Sequence, residues 1–200
     1  MSMKPISTQI KNGFTLLETL VAVSLLMLSI VGPLTIAQKS VKTSTYTKNR
    51  TTAYYLAQDA MEFLRNVRDT NSLQGGTWNT LGNVYALCIV GKCDVDTQYS
   101  PSEAISNTVT RAVTILPCSV NCDPLTFLSS PLLPFSGYFG HAPISDGIIE
   151  SQFRREITIS PLNVSPDSRE LLIRVDVIWY EGILGGEKKI SLYDEVYDWQ

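Results

Sequence analysis

A run of 20 residues without a charged side chain, Thr19 to Gln38, lies near the N-terminus of this 200-residue chain. Most of its members are Leu, Val, Ile, Ala or Met. About 20 apolar residues in a helix cross the hydrocarbon core of a bilayer, which is about 30 Å thick. The run therefore predicts a membrane-spanning helix, and the remaining residues must supply any folded domain.

Basic residues flank the run on both sides, at Lys4, Lys11, Lys39, Lys42, Lys48 and Arg50. Because cations lie before and after the run, their distribution does not decide which flank faces the cytoplasm. A cleaved secretory signal is the alternative, but the small residues of its cleavage site are poorly matched here. At Gly32-Pro33, where one backbone donor is missing, we expect the helix to kink or open locally.

The single carboxylate at the start of the run, Glu18, belongs to a recognisable motif. The stretch KNGFTLLETLVAVSLL, residues 11–26, resembles the prepilin signal of type IV pilins and type II secretion pseudopilins. In that family a prepilin peptidase cleaves after a Gly and before a Phe, which match Gly13 and Phe14, and the Phe then carries a free N-methylated amine. The acidic residue that is fifth in the mature chain of that family matches Glu18.

A carboxylate in lipid is costly unless it is paired, so Glu18 needs an explanation. The resemblance implies that Glu18 pairs with the Phe14 amine of a neighbouring subunit, which would favour assembly. An i,i+4 contact with Phe14 of the same chain is a second reading. A third is that Glu18 only sits near a helix N-terminus at the membrane interface, where the helix dipole favours a negative charge.

The resemblance implies a minor pilin or pseudopilin, with no enzymatic activity and no cofactor. The implied partners are other pilin or pseudopilin subunits, the prepilin peptidase, an inner-membrane platform protein and an assembly ATPase. The implied location is the inner (cytoplasmic) membrane, crossed once with the globular domain outside the cytoplasm, and afterwards a type IV pilus or type II secretion pseudopilus. The strand-like tail resembles minor pilins and pseudopilins of the V and I types.

The sequence divides into four segments with different patterns. Residues 1–13 match the leader, 14–38 form the hydrophobic transmembrane and assembly helix, 39–70 continue it as an amphipathic helix, and 71–200 form a globular β-rich domain. The amphipathic segment has an apolar face with helical spacing, formed by Ala53, Leu56, Ala57, Ala60, Met61, Leu64 and Val67. The expected fold is α+β, with the second half of a long helix packed on an antiparallel sheet, as in type IV pilins.

Strand patterns dominate the globular segment. Residues 83–96 predict a hairpin whose first strand, 84–89, leads into a turn at Gly91, and residues 108–116 alternate as a strand. The range 117–147 is rich in Pro, Gly and Ser and predicts a long surface loop. The last fifty residues predict three antiparallel strands with one apolar face, joined in part by a turn at Gly185-Gly186.

The four cysteines form two close pairs, Cys88 with Cys93 and Cys118 with Cys122. In an exported chain this spacing predicts two local disulfides, whereas in the cytosol it would suggest a metal site. The C-x4-C and C-x3-C spacings are looser than those of usual zinc sites. We therefore expect disulfides and no metal.

Other candidate sites are weak. His141, the only histidine, has no nucleophile motif around it and is expected to be an ordinary loop residue. Asp94, Asp96 and Glu103 offer oxygen ligands for calcium, but their spacing lacks the EF-hand pattern. The net charge of -3 gives no footprint for nucleic acid. Two rival functions remain: a tip or DNA-uptake pilin that binds a ligand through 117–147, and a membrane-anchored enzyme.

Overall fold

One long helix and an antiparallel sheet make up the α+β fold of the protein in the computed structural model. The structure describes residues 13–73, 88–97, 115–129, 137–144, 147–162, 170–182 and 186–197. The chain divides into two compact units, residues 1–46 and residues 47–200, with the boundary inside the helix.

Helix α1 spans Leu16–Leu73 and has 58 residues. It is close to the expected length, because the apolar run and the amphipathic segment join without a break. Pro33 lies inside the helix, and the residues on both sides of it remain helical. The local opening expected at Gly32-Pro33 is therefore not found. Turn-forming residues follow Leu73 in the sequence, where the helix ends.

Seven strands are found in the part of the chain that the structure describes. They are β1 (Lys92–Val95), β2 (Ile115–Cys118), β3 (Pro124–Leu128), β4 (Phe139–Gly140), β5 (Ile148–Pro161), β6 (Glu170–Tyr180) and β7 (Glu187–Tyr197). All pairings between them are antiparallel. The long strand β5 organises the sheet: one edge pairs with β6 and then β7, and the other edge pairs with β1 and β3.

The three C-terminal strands confirm the predicted meander and its apolar face. Strand β5 pairs with β6 from Phe153↔Trp179 to Pro161↔Leu171, and β6 pairs with β7 along its whole length. The buried face of β6 carries Leu171, Ile173, Val175, Val177 and Trp179. Gly186, with a positive φ of 68°, accepts a hydrogen bond from the Glu181 N–H at the start of β7. Gly185, the other half of the predicted turn, is outside the described residues.

The second half of α1 packs on this sheet, as predicted. All seven apolar positions of its periodic face are buried. Polar contacts link the helix to two strands: Gln152 of β5 donates to Asn49 at 2.9 Å, and Arg65 donates to Asp194 of β7 at 2.6 Å. The hydrogen bond to Asp194 raises the pKa of the Arg65 guanidinium above its ordinary value.

Two expectations about the middle of the chain are corrected. Residues 88–90 are helical, and β1 pairs with β2 and β5 instead of forming a hairpin with 84–89, of which 84–87 are outside the described residues. The range 117–147 includes strands β3 and β4 and the end of β2, so it is not one long loop. Strand β3 pairs with β5, which satisfies its backbone and buries Leu125.

Candidate membrane and assembly segment

The helix begins with an N-cap formed by the side chain of Thr15. Thr15 is the residue before α1, and its Oγ1 accepts a hydrogen bond from the Glu18 backbone N–H at 3.3 Å. The T-x-x-E pattern at residues 15–18 favours this arrangement, because it satisfies a backbone donor that has no partner within the helix. The first backbone bond of the helical type runs from the Thr19 N–H to the Thr15 carbonyl at 3.1 Å.

This cap separates the residues of the predicted cleavage junction from the helix. Gly13 and Phe14 are exposed and lie before the cap, whereas Glu18 is exposed in the first helical turn. Phe14 and Glu18 are therefore not successive positions on one helical face in the uncleaved chain. The pairing of Glu18 with a Phe14 amine, which forms only on cleavage, stays a prediction. The carboxylate lies where the helix dipole favours a negative charge.

The apolar run that follows exposes its whole surface. Every residue from 13 to 45 is exposed, and α1 is long and apolar enough to cross a membrane. The four hydroxyl groups between residues 19 and 38 donate to carbonyls three residues earlier, at 2.7–2.8 Å, and belong to Thr19, Ser24, Ser29 and Thr35. Polar groups in lipid must be satisfied within the protein, and these hydroxyls are satisfied by their own helix.

A basic segment, residues 39–50, follows the apolar run directly. It contains four cations and no carboxylate, and its cations are Lys39, Lys42, Lys48 and Arg50. All four side chains are exposed. Within the described part of the chain, none of them forms an ion pair with a carboxylate.

Both predicted disulfides are present. Cys88 and Cys93 have Cα atoms 5.1 Å apart and connect the helical turn at 88–90 to β1. Cys118 and Cys122 have Cα atoms 4.7 Å apart and close the turn between β2 and β3. All four cysteines of the chain are therefore bonded. Each bridge closes a very short loop, so it orders local structure at one edge of the sheet.

The sequence analysis missed a buried ion pair at the centre of the domain. Arg155 of β5 is only 2% exposed, and its Nε donates to Asp94 Oδ1 at 2.6 Å. Its two terminal nitrogens donate to the carbonyls of Leu56 in α1, at 3.1 Å, and Val95 in β1, at 2.5 Å. One guanidinium thus connects the helix to two strands. The alternation of β5 places Arg155 between apolar neighbours, and that position was the signal for a buried partner.

Asp94 is fully occupied by these contacts. Its Oδ1 also accepts the Val95 N–H at 2.7 Å, and its Oδ2 lies 2.8 Å from Nε2 of His141. His141 does lie in a loop, but its side chain is largely buried against this carboxylate. Of the calcium ligands considered from the sequence, Asp94 binds Arg155 and Glu103 is outside the described residues, so the set of three stays a prediction. Within the described ranges, no group of three His, Cys, Asp or Glu is arranged to hold a metal ion.

An open cleft of about 480 Å³ lies beside α1 in the folded domain. Its walls include Tyr55 on the helix and Tyr138 before β4, both largely exposed. Asp59 also lines the cleft and accepts a hydrogen bond from Thr97 at 2.5 Å. The cleft therefore combines aromatic surfaces with one carboxylate.

Comparisons of this chain with protein-family models, with curated proteins and with solved structures found no match.

Proposed function

We propose that the chain is a minor pilin or pseudopilin: a non-enzymatic subunit that a prepilin peptidase processes and that then joins a type IV pilus or a type II secretion pseudopilus. The observation that carries the proposal is the order of features along α1. A Gly13-Phe14 junction precedes a capped helix start, Glu18 lies in the first turn, and a fully exposed apolar run follows.

The exposed apolar run supports the proposal on physical grounds. Apolar side chains along more than twenty residues are stable in only two kinds of surroundings, lipid or other apolar surfaces. A subunit that leaves the bilayer and joins a filament exchanges contacts with lipid for contacts with the apolar surfaces of other subunits. The second half of α1 already has its own partner, because its apolar face is buried on the sheet.

Cleavage at Gly13 would change the charges at the helix start. It removes Lys4 and Lys11 and creates an amine on Phe14, four residues before Glu18. In the apolar interior of a filament, Glu18 and a neighbouring amine would each be stable only when paired. The implied partners are therefore other pilin subunits, with the peptidase, the platform protein and the ATPase acting before and during assembly.

The disulfides support a location outside the cytoplasm for the folded domain. Disulfides persist in oxidising compartments and are rare where thiols are kept reduced. Both bridges belong to the compact unit of residues 47–200, and the apolar run precedes it. A single crossing of the inner membrane, with the domain on the oxidising side, satisfies both observations.

The proposal is tested by co-expression with a prepilin peptidase and N-terminal sequencing of the membrane-extracted protein. We expect a methylated Phe14 at the N-terminus and a mature chain of 187 residues, thirteen fewer than the full sequence. Gly13→Asp should block processing, and Gly91→Asp, at an exposed glycine of the folded domain where an added side chain meets open space, is the matched control that leaves the junction and the apolar run intact. An N-terminus at Met1, or beyond residue 30, would contradict the proposal, and an intact leader would favour a membrane-anchored enzyme.

A tip pilin that binds a ligand is the second candidate, and the cleft beside Tyr55 and Tyr138 favours it. Exposed tyrosines near a carboxylate provide stacking surfaces and a hydrogen-bond acceptor. If the cleft binds a ligand for the filament, Tyr138→Ala should abolish that binding and leave filament assembly unchanged. Pull-down of candidate ligands with sheared filaments distinguishes this role from a purely structural one.

A further inference from the structure

We propose that the basic segment, residues 39–50, binds the headgroups of anionic phospholipids on the side of the bilayer where α1 emerges. The proposal rests on the membrane-spanning part of the proposed function and does not depend on filament assembly. It assigns the strongest role to Lys39 and Lys42 and a weaker role to Lys48 and Arg50.

The position of the segment carries the argument. Lys39 is the first residue after the uncharged run, and Lys42 follows within one helical turn. If residues 19–38 fill the hydrocarbon core, these two side chains lie in the headgroup layer. Their long aliphatic stems allow the ammonium groups to reach phosphates while the stems stay near the apolar region.

The charges of the segment are all of one sign and uncompensated. Its four exposed cations have no carboxylate among their neighbours in the segment. Elsewhere in the folded domain, described cations such as Lys92, Arg154 and Arg174 are within 3.2 Å of carboxylates. A cationic segment without internal partners, beside a bilayer, is attracted by anionic headgroups.

The location of these cations is otherwise unexplained. Lys and Arg normally accumulate on the cytoplasmic flank of a transmembrane helix. The proposed function places residues 39–50 on the opposite flank, where four cations outnumber the two of the leader. The bias of Lys and Arg toward the cytoplasmic flank does not explain these four cations, whereas binding to lipid headgroups does.

Distance from the bilayer predicts a graded contribution. A helix rises about 1.5 Å per residue, so Lys42 is about 6 Å past Gln38 along such a helix. Lys48 and Arg50 are ten and twelve residues past Gln38 in the sequence. At the helical rise per residue, these separations exceed the Debye length, which is about 8 Å at physiological ionic strength. The attraction of a cation to the surface falls off over that length, so the nearer pair should dominate.

A second copy of the chain is the competing occupant. Residues 51–200 contain eighteen acidic and ten basic residues, so the folded domain could attract a basic segment. Its exposed carboxylates are spread over several elements, however, and include Glu62, Asp123, Glu150, Glu187 and Glu195. The continuity of the basic segment with the apolar run favours the lipid surface.

The test measures lipid selectivity around the full chain in bilayers. The protein is reconstituted in phosphatidylcholine with trace spin-labelled phosphatidylglycerol or spin-labelled phosphatidylcholine, and electron spin resonance gives their relative association. All variants carry K4Q/K11Q, so that the two lysines of the opposite flank contribute nothing and the N-terminal amine is common to every variant. We expect phosphatidylglycerol to be preferred at least about twofold to threefold at low salt, and less in 0.5 M salt.

Three variants separate the outcomes. K39Q/K42Q should remove most of the preference, K48Q/R50Q should remove less, and K188Q/K189Q in the folded domain should leave it unchanged. An unaltered preference in K39Q/K42Q would overturn the proposal. The proposal would also be overturned if K39Q/K42Q and K48Q/R50Q lost the preference for phosphatidylglycerol equally and only at a high protein-to-lipid ratio. That result would indicate that the basic segment binds a second copy of the chain. Release of the chain from membranes by alkaline carbonate would instead contradict the membrane-spanning part of the proposed function.

Discussion

At the scale of single residues, the buried pair of Arg155 and Asp94 is the central polar contact of the domain. Both side chains are at most 2% exposed, and hydrogen bonds from Arg155 reach α1 and β1. A buried ion pair does not by itself increase stability, because desolvation offsets the attraction. Here every charged group has hydrogen-bond partners, so the pair specifies how the helix and the strands come together.

Removing the guanidinium should therefore be strongly destabilising. In Arg155→Met, Asp94 remains buried and loses its charged partner, which lowers the free energy of unfolding by about 3–5 kcal/mol. Arg174→Met is the matched control, since Arg174 pairs with Asp176 on the outer face and is 38% exposed. The control should change stability by less than about 1 kcal/mol. Urea unfolding of the full chain in detergent, followed by tryptophan fluorescence, measures both.

The double variant Arg155→Met/Asp94→Asn extends the test. It removes both charges, so it should recover part of the stability that Arg155→Met alone loses. Equal stability of Arg155→Met and wild type would mean that the pair contributes nothing. A double variant no more stable than Arg155→Met would mean that the unpaired carboxylate is not the source of the loss.

At the scale of elements, the buried face of α1 consists in part of alanine. Ala53, Ala57 and Ala60 are fully buried at three successive turns of the helix. Protein interiors are packed too densely to accept extra volume at such positions without strain. The helix is therefore matched to the sheet by size as well as by polarity.

Ala60→Leu should lower the free energy of unfolding by about 1–3 kcal/mol, because the added atoms have no space at this contact. Ala37→Leu is the control on the same helix, at an exposed position of the apolar run, and should leave unfolding of the domain unchanged. Thermal or urea unfolding of the full chain in detergent compares them. Equal stability of the two variants would show that the helix face tolerates larger side chains and is loosely packed.

Local patterns predicted the elements whose partners lie near in the chain. The periodic face of α1 and the alternation of β5, β6 and β7 were sufficient, because burial follows directly from spacing. The disulfides could be predicted for the same reason, since each pair is separated by five residues or fewer. Contacts between residues this close in the sequence depend on local spacing and not on how distant strands pair.

Strand partners that lie far apart in the chain were not predictable. Strand β1 pairs with β2, whose partner residues lie 20 to 26 positions later, although Gly91 suggested a hairpin with the residues just before it. Strand β3 lies in a range whose composition is typical of a loop, and only its pairing with β5 makes it a strand. The ion pair was missed for the same reason, because Asp94 and Arg155 are 61 residues apart.

At the scale of the whole molecule, one helix has two kinds of surface. Residues 16–38 are apolar on all sides and exposed, whereas the residues from Ala53 to Val67 bury a single apolar face on the sheet. The first kind of surface is typical of a segment that meets lipid or identical helices, and the second of an ordinary domain. The proposed assembly uses the helix start and the apolar run, and the proposed lipid contact uses residues 39–50, which follow the run in the sequence.

Glu18 is the residue at which assembly and helix capping can be separated. If its carboxylate pairs with the Phe14 amine of a neighbour, Glu18→Gln leaves that amine buried without a charged partner, at a cost of about 3–5 kcal/mol per subunit. We expect incorporation into sheared filaments to fall at least tenfold, with normal processing and a normal membrane pool. In the bilayer the amine stays near the aqueous interface, so the unassembled subunit loses little.

Thr15→Val is the matched variant, because it removes the hydroxyl that accepts the Glu18 N–H and keeps the carboxylate. Loss of a cap lowers helix stability by about 0.5–2 kcal/mol, which falls on the first turn alone. If pairing between subunits is the role of Glu18, Thr15→Val should assemble nearly as well as wild type, and Glu18→Asp should be intermediate, with the charge kept and the reach shortened. Equal loss in Thr15→Val and Glu18→Gln, or normal incorporation of Glu18→Gln, would instead assign Glu18 to the helix start, where the helix dipole alone favours its negative charge.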